Sequence, residues 1–116
     1  MTNLIDIERD SKLVNSLALK GQKLTGSAYV QEVIDKHVGN KKYTNVCLKD
    51  IQFEYCGKTF RIDHCWLQQR DYPKSEKELL KYNEGLLHYF KFTFYQYRDE
   101  IDKNKCGMTV RYIELY

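Results

Sequence analysis

The chain has 116 residues, of which 42% are hydrophobic and 30% charged, a balance typical of one folded domain rather than a disordered segment. Its net charge of +3 is mildly basic and gives only weak support for nucleic-acid binding. The stretch 41–74 carries seven basic residues against four acidic ones, which predicts a positive face on a nearly neutral protein. The sequence has no long apolar run and no signal-peptide core, so we expect a cytoplasmic protein with reduced cysteines and no membrane partner.

The first predicted element is a short helix over residues 11–20. Ser11 is a suitable N-cap and Gly21 ends the run of helical residues. Because such a short helix is marginal on its own, we expect it to pack on the rest of the chain. The prediction therefore divides the chain into an N-terminal helical segment, residues 1–23, and a β domain, residues 24–116.

The β domain contains five runs rich in β-branched and aromatic residues. They predict strands at 24–36, 43–54, 59–68, 87–97 and 108–115. A Gly-centred turn at 55–58 joins the second and third runs as a hairpin. After Pro73, the capping-box residues Ser75 and Glu78 predict a helix over 75–84.

This order of elements is that of a five-stranded OB-like barrel with its helix between strands 3 and 4. We therefore predict a mainly β fold with one or two short helices. A small SH3-like barrel or a helix-capped open sheet would give much the same pattern.

The string Asp63-His64-Cys65-Trp66 is the first candidate for catalysis. Consecutive residues of a strand point to opposite faces, so neither Asp63 with His64 nor His64 with Cys65 forms a dyad without a bulge. We therefore expect no enzyme activity. Trp66 and Ile62 are predicted to fill the core, and His64 to cap a buried polar gap.

Zinc is the second candidate chemistry, because the chain has four cysteines and three histidines. Structural zinc sites usually draw on close cysteine pairs. Here eight, eight and forty residues separate the successive cysteines Cys47, Cys56, Cys65 and Cys106. We therefore predict free thiols, no metal and no other cofactor.

The predicted strand at 87–97 has the most regular alternation. Phe90, Phe92 and Phe94 form one face, predicted to be core, while tyrosines and lysine form the other. Aromatic groups beside cations are typical of single-strand binders; alternatively, the N-terminal segment covers these tyrosines. This face, the two lysine-bearing loops 37–42 and 98–107, and two further cations of the positive stretch 41–74 provide the candidate nucleic-acid- or partner-binding residues: Lys41, Lys42, Lys58, Arg61, Tyr89, Lys91, Tyr95, Tyr97, Lys103 and Lys105.

Three short strings also carry a family resemblance. They are Thr44-Asn45 in one strand, Asp63-His64-x-Trp66 in the next, and the apolar–aromatic run from Gly85 to Tyr97. In these strings residues 43–115 resemble a group of small OB-like proteins carried by phages, plasmids and chromosomal cassettes of Gram-positive bacteria. The resemblance implies an OB-type barrel and a mobile-element origin. Such elements encode replication accessories, single-strand binders and inhibitors of host defence, including anti-CRISPR proteins.

We therefore predict a non-enzymatic binding module of a mobile genetic element. It would bind single-stranded nucleic acid, or serve as a replication accessory that works with a nucleic-acid-processing protein. The alternative is a protein–protein inhibitor of a host defence nuclease, because abundant tyrosines and mixed-charge loops also suit a protein interface.

Overall fold

The computed structural model describes residues 4–9, 11–68, 71–72, 84–85, 87–96 and 106–115. Within them the chain is mainly β and forms one six-stranded sheet in the order β1-β4-β3-β2-β5-β6. All neighbouring strands are antiparallel except β1, which runs parallel to β4. The elements are β1 (Leu4–Asp6), α1 (Lys12–Lys20), β2 (Leu24–Val38), β3 (Lys41–Tyr55), β4 (Lys58–Leu67), β5 (Leu87–Gln96) and β6 (Cys106–Leu115).

The single described helix, α1, begins and ends as its sequence predicts. The Ser11 hydroxyl accepts a hydrogen bond from the Val14 backbone N–H at 3.3 Å, which satisfies one of the free donors of the first turn. Gly21 adopts the left-handed backbone conformation that ends the helix. The apolar side of α1 buries Val14 and Leu17 in the common core, so the helix is stabilised by packing.

The core lies between α1 and one face of the sheet, which we call the inner face. Phe53 is in aromatic contact with Phe92 and Phe94, with ring centroids 5.7 Å and 5.6 Å away. The predicted row of Phe90, Phe92 and Phe94 is confirmed as core, and Ile62 is also buried. The prediction for Trp66 is wrong, because this side chain is only half-buried.

Gly26 makes room for this aromatic cluster. It is the one inward position of β2 without a side chain, and it pairs with Phe53 on one side and Phe90 on the other. A Cβ placed there would lie 2.5 Å from the Gln52 carbonyl oxygen and 2.9 Å from a ring carbon of Phe92. Since the carbonyl oxygen belongs to the backbone of a central strand, it cannot move away without breaking the pairing of β2 with β3.

Among the described strands the sheet is open, so the prediction of an OB-like barrel is wrong in this respect. Closure would require β4 to pair with β6, and these strands approach each other. Instead, the edge of β4 pairs with β1, in which Leu4, Ile5 and Asp6 lie opposite residues 59–61. A three-residue strand is too short to show alternation, which is why the sequence did not predict it.

The position of the helix also differs from the prediction. The described helix precedes β2, whereas an OB-like barrel has its helix between strands 3 and 4. The helix predicted over 75–84 lies, except for Glu84, outside the described residues. None of the described helical structure is long and apolar enough to cross a membrane.

The packing of Phe92 leads to a stability prediction. We expect Phe92→Ala to lower the free energy of unfolding by about 3–5 kcal/mol, because it removes a ring that is only 1% exposed from a close-packed cluster. Leu19→Ala on α1 is the control, since Leu19 is 76% exposed and its loss should change stability by less than about 0.5 kcal/mol. Urea unfolding of both variants measures the difference; equal stability would contradict the described core.

Candidate functional site

The outer face of the sheet depends on a break in the alternation of β3. Leu48 and Ile51 are both buried, although two residues lie between them and a regular strand would therefore place them on opposite faces. The break occurs at Asp50, which has a φ of 57°. Here β3 has one residue more than β2, as expected for a β-bulge.

Strand β4 has a matching break opposite Asp50. Ile62 and Cys65 are both buried, and the two residues between them, Asp63 and His64, are both exposed. The His64 Nδ1 therefore lies 3.0 Å from a carboxylate oxygen of Asp63. This hydrogen bond, aided by the charges of His64, Arg61 and Lys49, lowers the pKa of Asp63. The predicted alternation is broken here by the bulge, and the prediction that His64 caps a buried polar gap is wrong, because its side chain is 54% exposed.

The shifted register brings three exposed side chains into one row across the outer face. Tyr29 of β2 lies opposite Lys49 of β3, and Lys49 lies opposite His64 of β4. Adjacent strands are about 4.8 Å apart, so the row spans about 10 Å with the cation between two flat rings. None of these three residues was among the predicted binding residues.

The neighbouring row places Trp66 beside this group. Trp66 lies opposite Cys47, which in turn lies opposite Glu32. Cys47 is buried although it points outward, and its thiol lies 3.6 Å from the side-chain oxygen of Gln31. Burial, followed by the charges of Glu32 and Asp63, raises the pKa of this thiol. We call the four residues Tyr29, Lys49, His64 and Trp66 the platform.

Arg61 was predicted to bind phosphate, but the structure surrounds its guanidinium with carboxylates. It pairs with Asp50, with Asp6 at 3.1 Å and with Asp63 at 3.6 Å. The hydrogen bonds to Asp50 and then to Asp6 raise the pKa of Arg61. A phosphate would have to displace one of these partners, so the arrangement favours a structural role that joins β1, β3 and β4.

Tyr95 was predicted to stack on a nucleic-acid base, but in the structure its hydroxyl bonds to a buried carboxylate. Tyr95 is half-buried, and its hydroxyl donates a hydrogen bond to Asp71 at 2.8 Å. Asp71 is only 2% exposed and also accepts the backbone N–H of Gln68 at 2.8 Å. Tyr95 therefore fastens the segment after β4 to β5, since a buried carboxylate needs such donors.

Tyr89 and Lys91 do lie on the outer face, beside the beginning of β2. Tyr89 pairs with Ser27, and Lys91 pairs with Thr25. Tyr89 is half-buried and, with Tyr55, lines an open groove of about 590 Å³. The groove is open and is lined by both polar and apolar side chains.

The predicted lysines are not brought together. Lys41 and Lys42 lie at the beginning of β3, and Lys58 lies beyond its end, at the β3–β4 turn. At about 3.3 Å per residue, the length of β3 separates Lys58 from Lys41 and Lys42 by about 40 Å. The remaining predicted residues, Tyr97, Lys103 and Lys105, lie outside the described residues.

The described thiols are free, and they form no cluster with other ligands. Cys47 and Cys65 are buried and Cys56 is exposed at the β3–β4 turn. In the part of the chain that the structure describes, no group of three or more His, Cys, Asp or Glu side chains could hold a metal ion.

Comparison with protein-family models, curated proteins and solved structures finds no match for this chain.

The sequence does contain the signal for the platform. Two consecutive polar residues interrupt an apolar alternation in both hairpin strands, at Lys49-Asp50 and at Asp63-His64. Such a doubled polar step is typical of a bulge, because the apolar residues on both sides must still reach the core. Together, the two interruptions predict that His64 and Lys49 are both exposed and lie opposite each other.

The Asp63–His64 contact leads to a titration prediction. We expect His64→Ala to raise the pKa of Asp63 toward the usual aspartate value, because the largest stabilising contact of the carboxylate is lost. A lowered folded pKa stabilises the fold above the unfolded pKa, and this contribution is lost as pH falls through the folded pKa. The stabilities of wild type and variant should therefore converge in acid. NMR titration of the carboxyl carbon measures the shift, and an unchanged Asp63 pKa would disprove the contact.

The buried thiols lead to a labelling prediction. Burial raises the pKa of Cys65 to about 11, so at pH 8 only about one molecule in a thousand carries its thiolate. We expect a maleimide to modify exposed Cys56 rapidly and Cys65 only when the domain unfolds. Peptide mass spectrometry follows each site separately, and denatured protein is the control in which both react. Comparable native rates would contradict the burial of Cys65.

Proposed function

We propose that this chain is a non-enzymatic module that binds single-stranded nucleic acid on the outer face of its sheet, as a replication accessory of a mobile genetic element. The observation that carries the proposal is the exposed row of Tyr29, Lys49 and His64 on three adjacent strands. Trp66 lies in the next row of the same face. Flat rings beside a cation are the two parts that single-strand binders combine.

The rings of the platform are suited to stacking. Tyr29 is 39% exposed, and the bulge keeps the imidazole of His64 in solvent. Trp66 is half-buried, so its indole is held by its neighbours while one part stays accessible. Rings that are fixed before binding lose little conformational entropy when a base stacks on them.

The charge of the platform is small. Lys49 is exposed and lies between the two rings, while Asp63 is hydrogen-bonded to His64 on the same face. A single lysine neutralises about one phosphate, so the salt dependence of binding should be shallow. Stacking therefore supplies most of the affinity, which we expect to be modest and tolerant of sequence.

A second candidate function, the inhibition of a host defence nuclease by protein contact, has support at the edge of the sheet. The edge strand β1 exposes Leu4 and Ile5, which are 44% and 37% accessible. A sheet edge offers free backbone groups to an added strand of a partner protein. This candidate uses a different surface from the platform, so the two can be separated by substitution.

The stacking role predicts a specific effect of Tyr29→Ala. We expect this change to weaken binding of a labelled single strand about 5- to 150-fold, because about 1–3 kcal/mol of stacking on one base is lost. The slope of log affinity against log salt concentration should be the same in this variant as in wild type. Lys49→Gln should instead reduce that slope by about 0.7, the contribution of one phosphate. Fluorescence anisotropy over a salt series measures both quantities.

The matched control is Lys12→Gln on α1, which removes an exposed lysine from the opposite side of the sheet and should leave binding unchanged. If the wild-type protein binds no single strand at about 50 mM salt, the proposal is wrong. In that case, the second candidate would be supported if the chain captures one host protein from a lysate, if this binding survives nuclease treatment, and if Leu4→Asp abolishes it.

A further inference from the structure

The far ends of β2 and β3 form a two-stranded arm that leaves the sheet. Strand β5 pairs with β2 only along Leu24–Tyr29, and β4 pairs with β3 only from Val46 onward. In the described part of the chain, residues 34–38 and 41–45 therefore pair only with each other. We call these residues the ribbon; at about 3.3 Å per residue it is about 16 Å long.

The two faces of the ribbon differ in charge. One face continues the outer face of the sheet through the pairs Lys36–Tyr43 and Val38–Lys41. All four side chains are exposed, Val38 by 66%, and this stretch has two cations and no carboxylate. On the other face Lys42 is paired with Asp35 at 3.4 Å, so its charge is largely balanced.

The base of the ribbon is held firmly. Thr44 is fully buried, its hydroxyl donates to Asp35 at 2.8 Å, and its carbonyl accepts the hydroxyl of Tyr72 at 2.8 Å. On the β2 side, the Glu84 carboxylate accepts the backbone N–H of Val33 at 3.1 Å. These contacts fix the direction of the arm while its tip stays in solvent.

We propose that the ribbon is a second nucleic-acid site, which enters a groove of duplex DNA with its Lys36–Tyr43 and Val38–Lys41 face. The B-DNA major groove is about 12 Å wide and admits a two-stranded β-ribbon. Lys36 and Lys41 contact the phosphates that border the groove, and their charge complements the duplex. Val38 and Tyr43 contact the groove interior. The site is separate from the platform and does not depend on it.

The decisive experiment compares a short labelled duplex with one of its own single strands. In the full-length double variant K36Q/K41Q, we expect weaker duplex binding and a salt slope reduced by about 1.8, because two phosphate contacts are lost. The same variant should bind the single strand as wild type does. Tyr29→Ala should show the reverse pattern, losing single-strand affinity and retaining duplex affinity.

The control K12Q/K20Q removes two exposed lysines from α1 and so matches the change in net charge. It should leave duplex affinity and salt slope close to wild type. Thermal unfolding of each variant verifies that the fold is retained. The ribbon proposal fails if wild type does not bind the duplex, if the control loses as much affinity as K36Q/K41Q, or if K36Q/K41Q weakens both probes equally.

Discussion

The need to bury apolar side chains on both sides of Asp50 determines the architecture of this sheet. Leu48 and Ile51 both reach the core, which a regular strand does not allow. Burying a side chain such as Ile51 is worth about 1.5–3 kcal/mol, and Phe53 beyond it adds a similar amount. A left-handed residue costs about 1–2 kcal/mol, and Asp tolerates this conformation better than most residues. Burial therefore outweighs the cost of the bulge.

The bulge in turn decides which residues face solvent. It moves His64 out of the core-facing register and lets it bond to Asp63, its neighbour along the strand. It also sets Lys49 between Tyr29 and His64 on the outer face. Arg61, which pairs with Asp50, ties the bulge to β1 through Asp6. The same irregularity thus creates the platform and pairs Arg61, which the sequence suggested as a phosphate contact, with a carboxylate.

The two surfaces proposed for nucleic-acid binding differ in the interactions that they offer. The platform is aromatic and nearly neutral, which suits stacking on unpaired bases. The exposed face of the ribbon carries Lys36 and Lys41 without a carboxylate, which suits phosphate contact and a steeper salt dependence. Tyr95 belongs to neither surface, because its hydroxyl serves the buried Asp71. Charge and aromaticity therefore indicate function here only after structural partners are taken into account.

The sequence by itself determined the local elements. Alternation placed the five long strands, the Ser11 and Gly21 signals bounded α1, and the phenylalanine row of β5 identified the core, because each of these depends on neighbours along the chain. It did not determine how the sheet ends. The pairing of β1 with β4 joins Leu4 to Thr59, and no local pattern encodes such a long-range contact. Which tyrosine is free to bind also depended on tertiary structure, since Tyr29 and Tyr95 look alike in sequence and differ only in the partners that the fold brings to them.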